Sequence, residues 1–515
     1  MNGAEALIET LSAAGVKVCF ANPGTSEMQL VAAIDRQHDM RAVLGLFEGV
    51  VTGAADGYGR MADKPAVTLL HLGPGLANGL ANLHNAKRAG SPIINIVGDH
   101  APFHLHYNSP LTSDLNGVAR PMSDWLKTSR SERDLPQVGA EAWRQASTYP
   151  GRIATVVAPA NHAWTDGSAV VAAPALPAPQ IVPDGAIADA ASTLRDVDCP
   201  KAVFLGGRAL REDALEQAGR IAAATGARLI CETFPARLQR GAGRVAVERL
   251  PYFGEQAAEF LKDFKAIVFC GCEPPVSFFA YPGKPSWLSP EGARLVRLAS
   301  QEEHAEDALR RLADALDAPE KPALVQEATT PPAVEGKLDP MKIGAIVAGL
   351  MPENCIVSDE AATSGLMLFP ATLGAPKHDW MTLTGGAIGQ GLPLAAGAAV
   401  ACPDRKVLAL QADGGGMYTL QALWTIAREN LDVTTVVFNN GSYAILNIEL
   451  MRVGVQNPGP KALSMLDLRN PALNWVSLSE GMGVPAVRVE TAEELQAELA
   501  EALAHKGPRL IEAIL

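Results

Sequence analysis

Asp413 and Asn440 bracket the stretch ADGGGMYTLQALWTIARENLDVTTVVFNN (412–440), which holds three consecutive glycines. The run KVLALQ before the glycines reads as a strand, and TTVVF near the end reads as the next. Met417, Leu420, Trp424 and Ala427 recur three or four apart, which predicts one apolar face of a helix between them. Gly414, Gly415 and Gly416 then fall at the N-terminus of that helix, where free N–H groups and the helix dipole attract anions. If the anion is a diphosphate, its charge calls for a divalent cation. The carboxylate of Asp413 and the amide oxygen of Asn440 are hard oxygen ligands of the kind Mg²⁺ takes. Both fall at carboxyl ends of adjacent strands, where open α/β sheets bind ligands. A glycine turn alone would be only a tight strand-to-helix connection; the whole unit is far more specific. Two more groups stand out. Glu48 opens a helix in LFEGVVTGAADGYGR (46–60), with Val50, Val51, Ala54 and Ala55 packed behind it. His71 ends the apolar run AVTLLH, and an imidazole titrating near neutrality is a natural proton shuttle.

Three stretches of alternating apolar runs and helical patterns must position these groups. The first holds VKVCFAN (16–22), AVLGLF (42–47), AVTLLH (66–71), PIINIVG (92–98) and IATVVAP (153–159). The second holds AVFLGG (202–207), ARLICE (227–232), AIVFCG (266–271) and ARLVRLA (293–299). The third holds NCIVSDE (354–360), KVLALQAD (406–413), TTVVFNN (434–440) and RLIEAIL (509–515). Helical stretches between the runs predict doubly wound parallel sheets. Proline-rich linkers around 165–185 and 318–337 separate three α/β domains at 1–168, 185–317 and 338–515.

The 515 residues are 48% hydrophobic and 19% charged, the balance of a globular enzyme. A net charge of −13 argues against a nucleic-acid partner. No apolar run reaches the ~18 residues that span a bilayer. MNGAEALIETLSAAG reads as an amphipathic helix rather than a signal peptide, so a reducing cytoplasm is expected. The seven cysteines lack metal-ligand spacing, and Cys270 and Cys272 read as reduced and structural.

The aspartate–glycine–helix–strand–Asn-Asn unit resembles the thiamine diphosphate motif, except that Ala412 stands where the motif has its first glycine. That resemblance implies Asp413 and Asn440 as Mg²⁺ ligands, with the backbone carbonyl of Ser442 as a third and Gly414 and Gly415 beside the diphosphate. The text around Glu48 also matches the family's N-terminal domain. There the glutamate holds a ring nitrogen of the aminopyrimidine and promotes ylid formation, a task that needs an apolar setting to raise its pKa. HLGPGLANGLANLHNAKRAGSPIINIVG (71–98) resembles the second signature of that domain. LTGGAIGQGLPLAAGAA (383–399) resembles the segment supporting the bent cofactor, with the Gly386 carbonyl on the pyrimidine amino group and Ile388 as the wedge between the rings. The domain order is similar to that of the pyruvate decarboxylase and acetolactate synthase superfamily: pyrimidine-binding, middle Rossmann-like and diphosphate-binding. The resemblance implies a homodimer at least, and usually a homotetramer, because facing cofactor domains come from different subunits.

NPGTSE (22–27) and TLLHLGPG (68–75) look most like benzoylformate decarboxylases. This likeness implies Thr25 and His71 as groups that contact the substrate carboxylate and relay protons, with Ser26 an adjacent hydroxyl. The second active-site histidine of those enzymes is missing: PPVSFFAYPG (274–283) puts Ala280 or a phenylalanine there. His100, His104 and His106 are spaced apart in a surface loop and do not replace it. In SYAILNIELM (442–451), Ile445 and Glu449 share a helix face toward the substrate pocket. If Glu449 reaches that pocket it favours a polar or cationic substrate; otherwise it is a solvated helix residue. The middle segment lacks the arginine-phenylalanine-aspartate-aspartate-arginine text of FAD-binding relatives, and Gly206-Gly207 is no full GxGxxG, so FAD is not expected. The reading is a thiamine diphosphate- and Mg²⁺-dependent, non-oxidative decarboxylation of a 2-oxo acid through ylid and enamine intermediates. The alternatives are an acetolactate synthase-like carboligase without FAD and, from another class, an inert cofactor-binding paralogue.

Overall fold

The computed structural model describes residues 1–196 and 199–515. Three α/β units follow one another along the chain. The first sheet comprises β1 (Val18–Asn22), β2 (Arg41–Leu44), β3 (Ala66–Leu70), β4 (Ile93–Asp99), β5 (Trp125–Thr128) and β6 (Ile153–Pro159), all parallel, in the order β2-β1-β3-β4-β6-β5. The middle segment supplies β7 (Lys201–Leu205), β8 (Arg228–Cys231), β9 (Leu238–Arg240), β10 (Glu248–Arg249), β11 (Ala266–Cys270) and β12 (Arg294–Ala299). The third supplies β13 (Cys355–Glu360), β14 (His378–Thr382), β15 (Val407–Ala412), β16 (Val433–Asn439), β17 (Ala486–Val489) and β18 (Arg509–Ile514). Central strands such as β3 and β6 are buried along their whole length, as parallel strands covered on both faces must be.

Every expected strand is present, shortened by a residue or so at its ends, and five more appear. Edge strand β5 (WLKT) is only half-buried and β10 is two residues long, so neither produces an apolar run. The β14 strand (HDWMT) is fully buried yet polar, because Arg237 and Arg405 meet Asp379 at 2.5 and 2.6 Å. The β9 strand lies in the middle segment by sequence but pairs antiparallel with β14, Leu238 opposite Trp380. The third sheet therefore borrows its edge from across the linker.

The helix expected over 417–427 is broken. Asp413–Gly416 forms one helical turn, and a second helix runs only from Ala422 to Arg428. Its buried apolar side chains are Ala422, Leu423 and Ile426, while Met417, Leu420 and Ala427 sit at the core's margin. Gly206-Gly207 forms a turn whose Gly207 N–H donates to Glu232 (3.2 Å). Burial pushes the Glu232 carboxyl up to about 7. All seven cysteines are free thiols, Cys270 and Cys272 among the buried ones. Among the described residues no helix is long and apolar enough to cross a membrane.

The first and third units meet along two helices, Glu48–Ala62 and Gly391–Ala401. Glycine is required there: a Cβ on Gly397 would lie 1.8 Å from the Ala54 carbonyl oxygen, and one on Gly57 2.1 Å from that of Leu394. Inside this seam Arg60 forms a buried ion pair with Asp56 at 2.7 Å. It also donates to the carbonyls of Ala236 (3.1 Å) and Thr382 (2.9 Å), so one guanidinium touches all three units.

Replacing Gly397 by Ala should force these helices apart and destabilise the protein by ~1–3 kcal/mol, the usual range for overpacking. Gly185→Ala, where the added Cβ meets nothing within 4 Å, is the matched control. Thermal unfolding of both variants checks this: the midpoint falls for Gly397→Ala and holds or rises for Gly185→Ala.

Candidate active site

One set of groups gathers at the carboxyl ends of β1, β2 and β3. The turn after β1 carries Thr25, Ser26 and Glu27 in a single 3₁₀ turn. Glu27 is fully buried and its carboxylate accepts three hydrogen bonds: from the Gly24 N–H (2.7 Å), the Ser26 hydroxyl (2.7 Å) and His71 Nδ1 (2.8 Å). Ser26 Oγ also lies 3.2 Å from His71 Nδ1. The hydroxyl on His71 is therefore that of Ser26, while Thr25 is exposed. With Nδ1 occupied, Nε2 is the nitrogen His71 has left for a substrate. Glu48 is buried at the first turn of its helix, and its Oε2 accepts from Asn78 Nδ2 at 2.9 Å. Val50, Val51, Ala54 and Ala55 are buried behind it.

The second set lies at the carboxyl ends of β13, β15 and β16. Asp413 is buried, with Oδ1 on the Gly414 N–H and Oδ2 on the Gly441 N–H, both at 2.9 Å. Among the described residues no lysine, arginine or histidine forms an ion pair with it. Burial holds its carboxyl above the ordinary value of 3.8, opposed by those two N–H groups. A buried carboxylate without a cation is the environment a metal ion would relieve. Asn440 brings its amide alongside, Oδ1 accepting from the Ser442 N–H (2.9 Å) and Nδ2 donating to Ser364 Oγ (3.2 Å). Ala412 adopts an ordinary extended conformation (φ −72°, ψ 143°), so the missing glycine costs no backbone strain. Gly386 sits at φ +76°, exposed in the turn ahead of half-buried Ile388. The donor set and the open glycine turn fit a diphosphate, its cation and a bent two-ring cofactor.

Two groups escaped the sequence, and a third was placed only within PPVSFFAYPG (274–283), as Ala280 or a phenylalanine. Glu27 is one; its only sequence signal is Gly98, where a Cβ would fall 1.7 Å from Glu27 Oε1. Glu360 is another: buried, it accepts from the N–H groups of Gly389 (2.5 Å) and Gly391 (2.6 Å) and from Gln411 (3.1 Å). It thus ties the Gly386 turn to the strand leading into Asp413. The third is Phe278 of the middle unit, whose ring would lie 3.1 Å from a Cβ at Gly386. Glu449 is not a solvated helix residue. Its carboxylate accepts from the Tyr281 hydroxyl and pairs with Arg452 Nε at 3.3 Å. Ile445 is half-buried on the same helix, Ala444–Arg452. His100 bonds Ser109 and stays with His104 and His106 on an exposed turn. Among the described residues no hydrogen bond joins Glu48 or His71 to the Asp413–Ser442 set.

Glu27→Gln, which cannot accept all three bonds at full charge, should destabilise the turn by ~1–3 kcal/mol. Hydrogen exchange at the Gly24 amide is the direct measurement. Faster exchange is expected, and wild-type exchange would show that Glu27 does not hold the turn.

Comparison with known proteins agrees with this geometry. Residues 1–115 match the thiamine pyrophosphate enzyme N-terminal TPP binding domain, and residues 369–513 match the C-terminal TPP binding domain. The "Putative acetolactate synthase large subunit IlvX" of Mycobacterium tuberculosis is 52% identical, covering 100% of this chain and 99% of that protein. A benzoylformate decarboxylase of Pseudomonas aeruginosa is 27% identical, covering 98% of this chain and 97% of its own. Among solved structures, the thiamine diphosphate-dependent 4-hydroxybenzoylformate decarboxylase of Rhodococcus jostii RHA1 superposes with a TM-score of 0.87 at 25% identity, covering 99% of this chain and 98% of that one. With both binding domains matched in the order the fold presents them, and a relative this similar from end to end, the chain belongs to the thiamine pyrophosphate enzymes of the pyruvate decarboxylase and acetolactate synthase superfamily.

Proposed function

We propose that the protein uses thiamine diphosphate and Mg²⁺ to decarboxylate a 2-oxo acid. The observation that carries this reading is the Glu27–Ser26–His71 cluster, a buried carboxylate fixing an imidazole that still has Nε2 to offer. When bound, thiamine diphosphate supplies the nucleophilic carbon and electron sink that loss of CO₂ from a 2-oxo acid requires. Asp413, Asn440 and the Ser442 carbonyl would hold the cation, and Gly414 and Gly415 would offer their N–H groups to the diphosphate. The Gly386 carbonyl and Ile388 would orient the rings. Glu48 would present its carboxyl to the pyrimidine as a proton donor. His71 Nε2, oriented through Nδ1 by Glu27, delivers a proton to the product carbon. The charge of Glu449 is matched by Arg452, and Phe278 reaches the Gly386 turn, which together favour an apolar side chain over the cationic one the sequence left open.

A carboligase is the second reading, favoured by the 52% relative bearing an acetolactate synthase name. The two readings share the residues above and differ in the second reactant, a proton or a second carbonyl compound. Because no hydrogen bond among the described residues joins Glu48 or His71 to the Asp413 set, we infer that a homodimer completes each site. Exposed Met451, Val453 and Met465, which follow the Asn440 turn, suit such a covered face.

Two experiments test this reading. Product analysis with cofactor, Mg²⁺ and a panel of 2-oxo acids should give aldehyde and CO₂ in equal amounts. A hydroxyketone would establish the carboligase, and silence across the panel would overturn both. Glu48→Gln should still bind cofactor while turnover drops by ~10²–10⁴. The second experiment uses pH. The cation would bind only ionised Asp413, whose carboxyl burial holds above 3.8, so Mg²⁺-dependent cofactor binding should be strongest on the alkaline side of that titration. As pH falls it should be lost at a higher pH than an ordinary aspartate would give, and Asp413→Asn should weaken it ~100-fold or more. Cofactor binding titrated against pH in both proteins checks this, and a flat profile would remove Asp413 from the metal site.

A further inference from the structure

A cavity of about 570 Å³ lies between the middle and C-terminal units, apart from the candidate site. Edge strand β10 lines one side. Linker residues 324–326, hydrogen-bonded to 244 and 246, close another. The walls are apolar and include Leu229, Val247, Leu250, Tyr252, Leu366 and Phe369. A volume of this size and character suits a small organic ligand.

One cation enters this apolar space. The Arg249 guanidinium stands 4.8 Å from the centre of the Phe369 ring, and among the described residues it forms no ion pair or side-chain hydrogen bond. Arg240 lies 3.7 Å from the same ring, but its donors go to the neutral Thr372 hydroxyl and Phe369 carbonyl. Asp359 is the buried carboxylate that both arginines act on, and it already accepts from Trp380 and the Ala361 N–H. Glu248 at the rim is held by Arg228. Positive charge therefore exceeds negative around an apolar cavity, and a guanidinium fork matches a carboxylate with two parallel hydrogen bonds.

We propose that this cavity binds a monocarboxylate with a flat or branched apolar body, its carboxylate on Arg249 and its body against Phe369, Leu250 and Leu366. The site is separate from the catalytic one. The single segment 362–371 divides them, with Ser364 bonded to Asn440 on one side and Leu366 and Phe369 lining the cavity on the other.

Calorimetric titration of the full-length protein, loaded with thiamine diphosphate and Mg²⁺, tests this with 4-phenylbutyrate and its neutral analogue 4-phenylbutyramide. The acid should bind about tenfold or more tightly than the amide, a difference of ~1.4 kcal/mol. Arg249→Leu should abolish that preference and Arg249→Lys should keep part of it. Arg249→Gln substitutes if the leucine variant fails to fold. His71→Ala should leave the acid's affinity unchanged, because the site is not catalytic. Equal binding of acid and amide, no saturable heat, an unaffected Arg249→Leu, or a loss in His71→Ala would each overturn the proposal.

Discussion

The fold depends on the buried pair of Asp56 and Arg60. Both side chains are almost wholly removed from water. Taking two charges out of water costs several kcal/mol per ion, and their mutual attraction offsets this only if every remaining donor and acceptor is used. Here they are. Arg60 spends its other donors on Ala236, Thr382 and Thr384, and Asp56 accepts further from Ser91 and Gln390. Those partners come from all three units. Satisfying this one pair therefore fixes how the units sit against each other, and the pair acts as a register pin rather than as a net source of stability.

The same helix connects the pin to the chemistry. Glu48, Thr52, Asp56 and Arg60 recur every four residues and lie on one face. Glu48 stands at the site, Thr52 donates to the Glu48 and Gly79 carbonyls, and Asp56–Arg60 lie at the junction. Glycine and alanine on the rest of the helix let Gly391–Ala401 approach backbone to backbone. That helix begins immediately after the turn carrying Gly386 and Ile388, which Asn85 and Asn82 hold from the first unit at 2.8 and 3.5 Å. Position thus passes from a buried ion pair, along a rigid seam, to the start of the Glu48 helix and to the Gly386 turn.

How legible was this in the sequence? Asp413, Asn440 and the strand before each could be read because they combine a period, a turn and a ligand chemistry within thirty residues. Glu48 and His71 stood out for a different reason, as polar residues at the end of apolar runs. What stayed hidden depends on distant partners. β14 looks too polar for a core strand until Arg237 and Arg405 arrive from elsewhere in the chain. β9 could not be assigned to the third sheet, since its pairing crosses more than a hundred residues. The helix after Gly416 breaks although its apolar spacing runs on, because burial selects Leu423 and Ile426 instead of the marginal Met417 and Leu420. Glu27 sat in plain view in NPGTSE, but its role appears only once Gly98 and His71 close around it.

The middle unit carries no recognisable cofactor motif, yet its Phe278 reaches the Gly386 turn. Its segment from Phe278 to Lys284 is fastened to the helix after Asn440 by a chain of polar contacts. Tyr281 bonds Glu449, Glu449 pairs with Arg452, Arg452 with Glu255 (3.0 Å), and Glu255 with Lys284 (3.1 Å). Glu255 and Lys284 are partly exposed, and such pairs contribute at most ~1 kcal/mol each to stability. Their effect is geometric. A loop with exposed Phe278 and Phe279 would otherwise be free to sample many positions, and the alternating charges select the one that places Phe278 against the Gly386 turn. Phe278 is therefore placed by weak, specific contacts between the middle unit and the helix Ala444–Arg452, while the seam of the first and third units is registered by a buried pair whose partners come from all three.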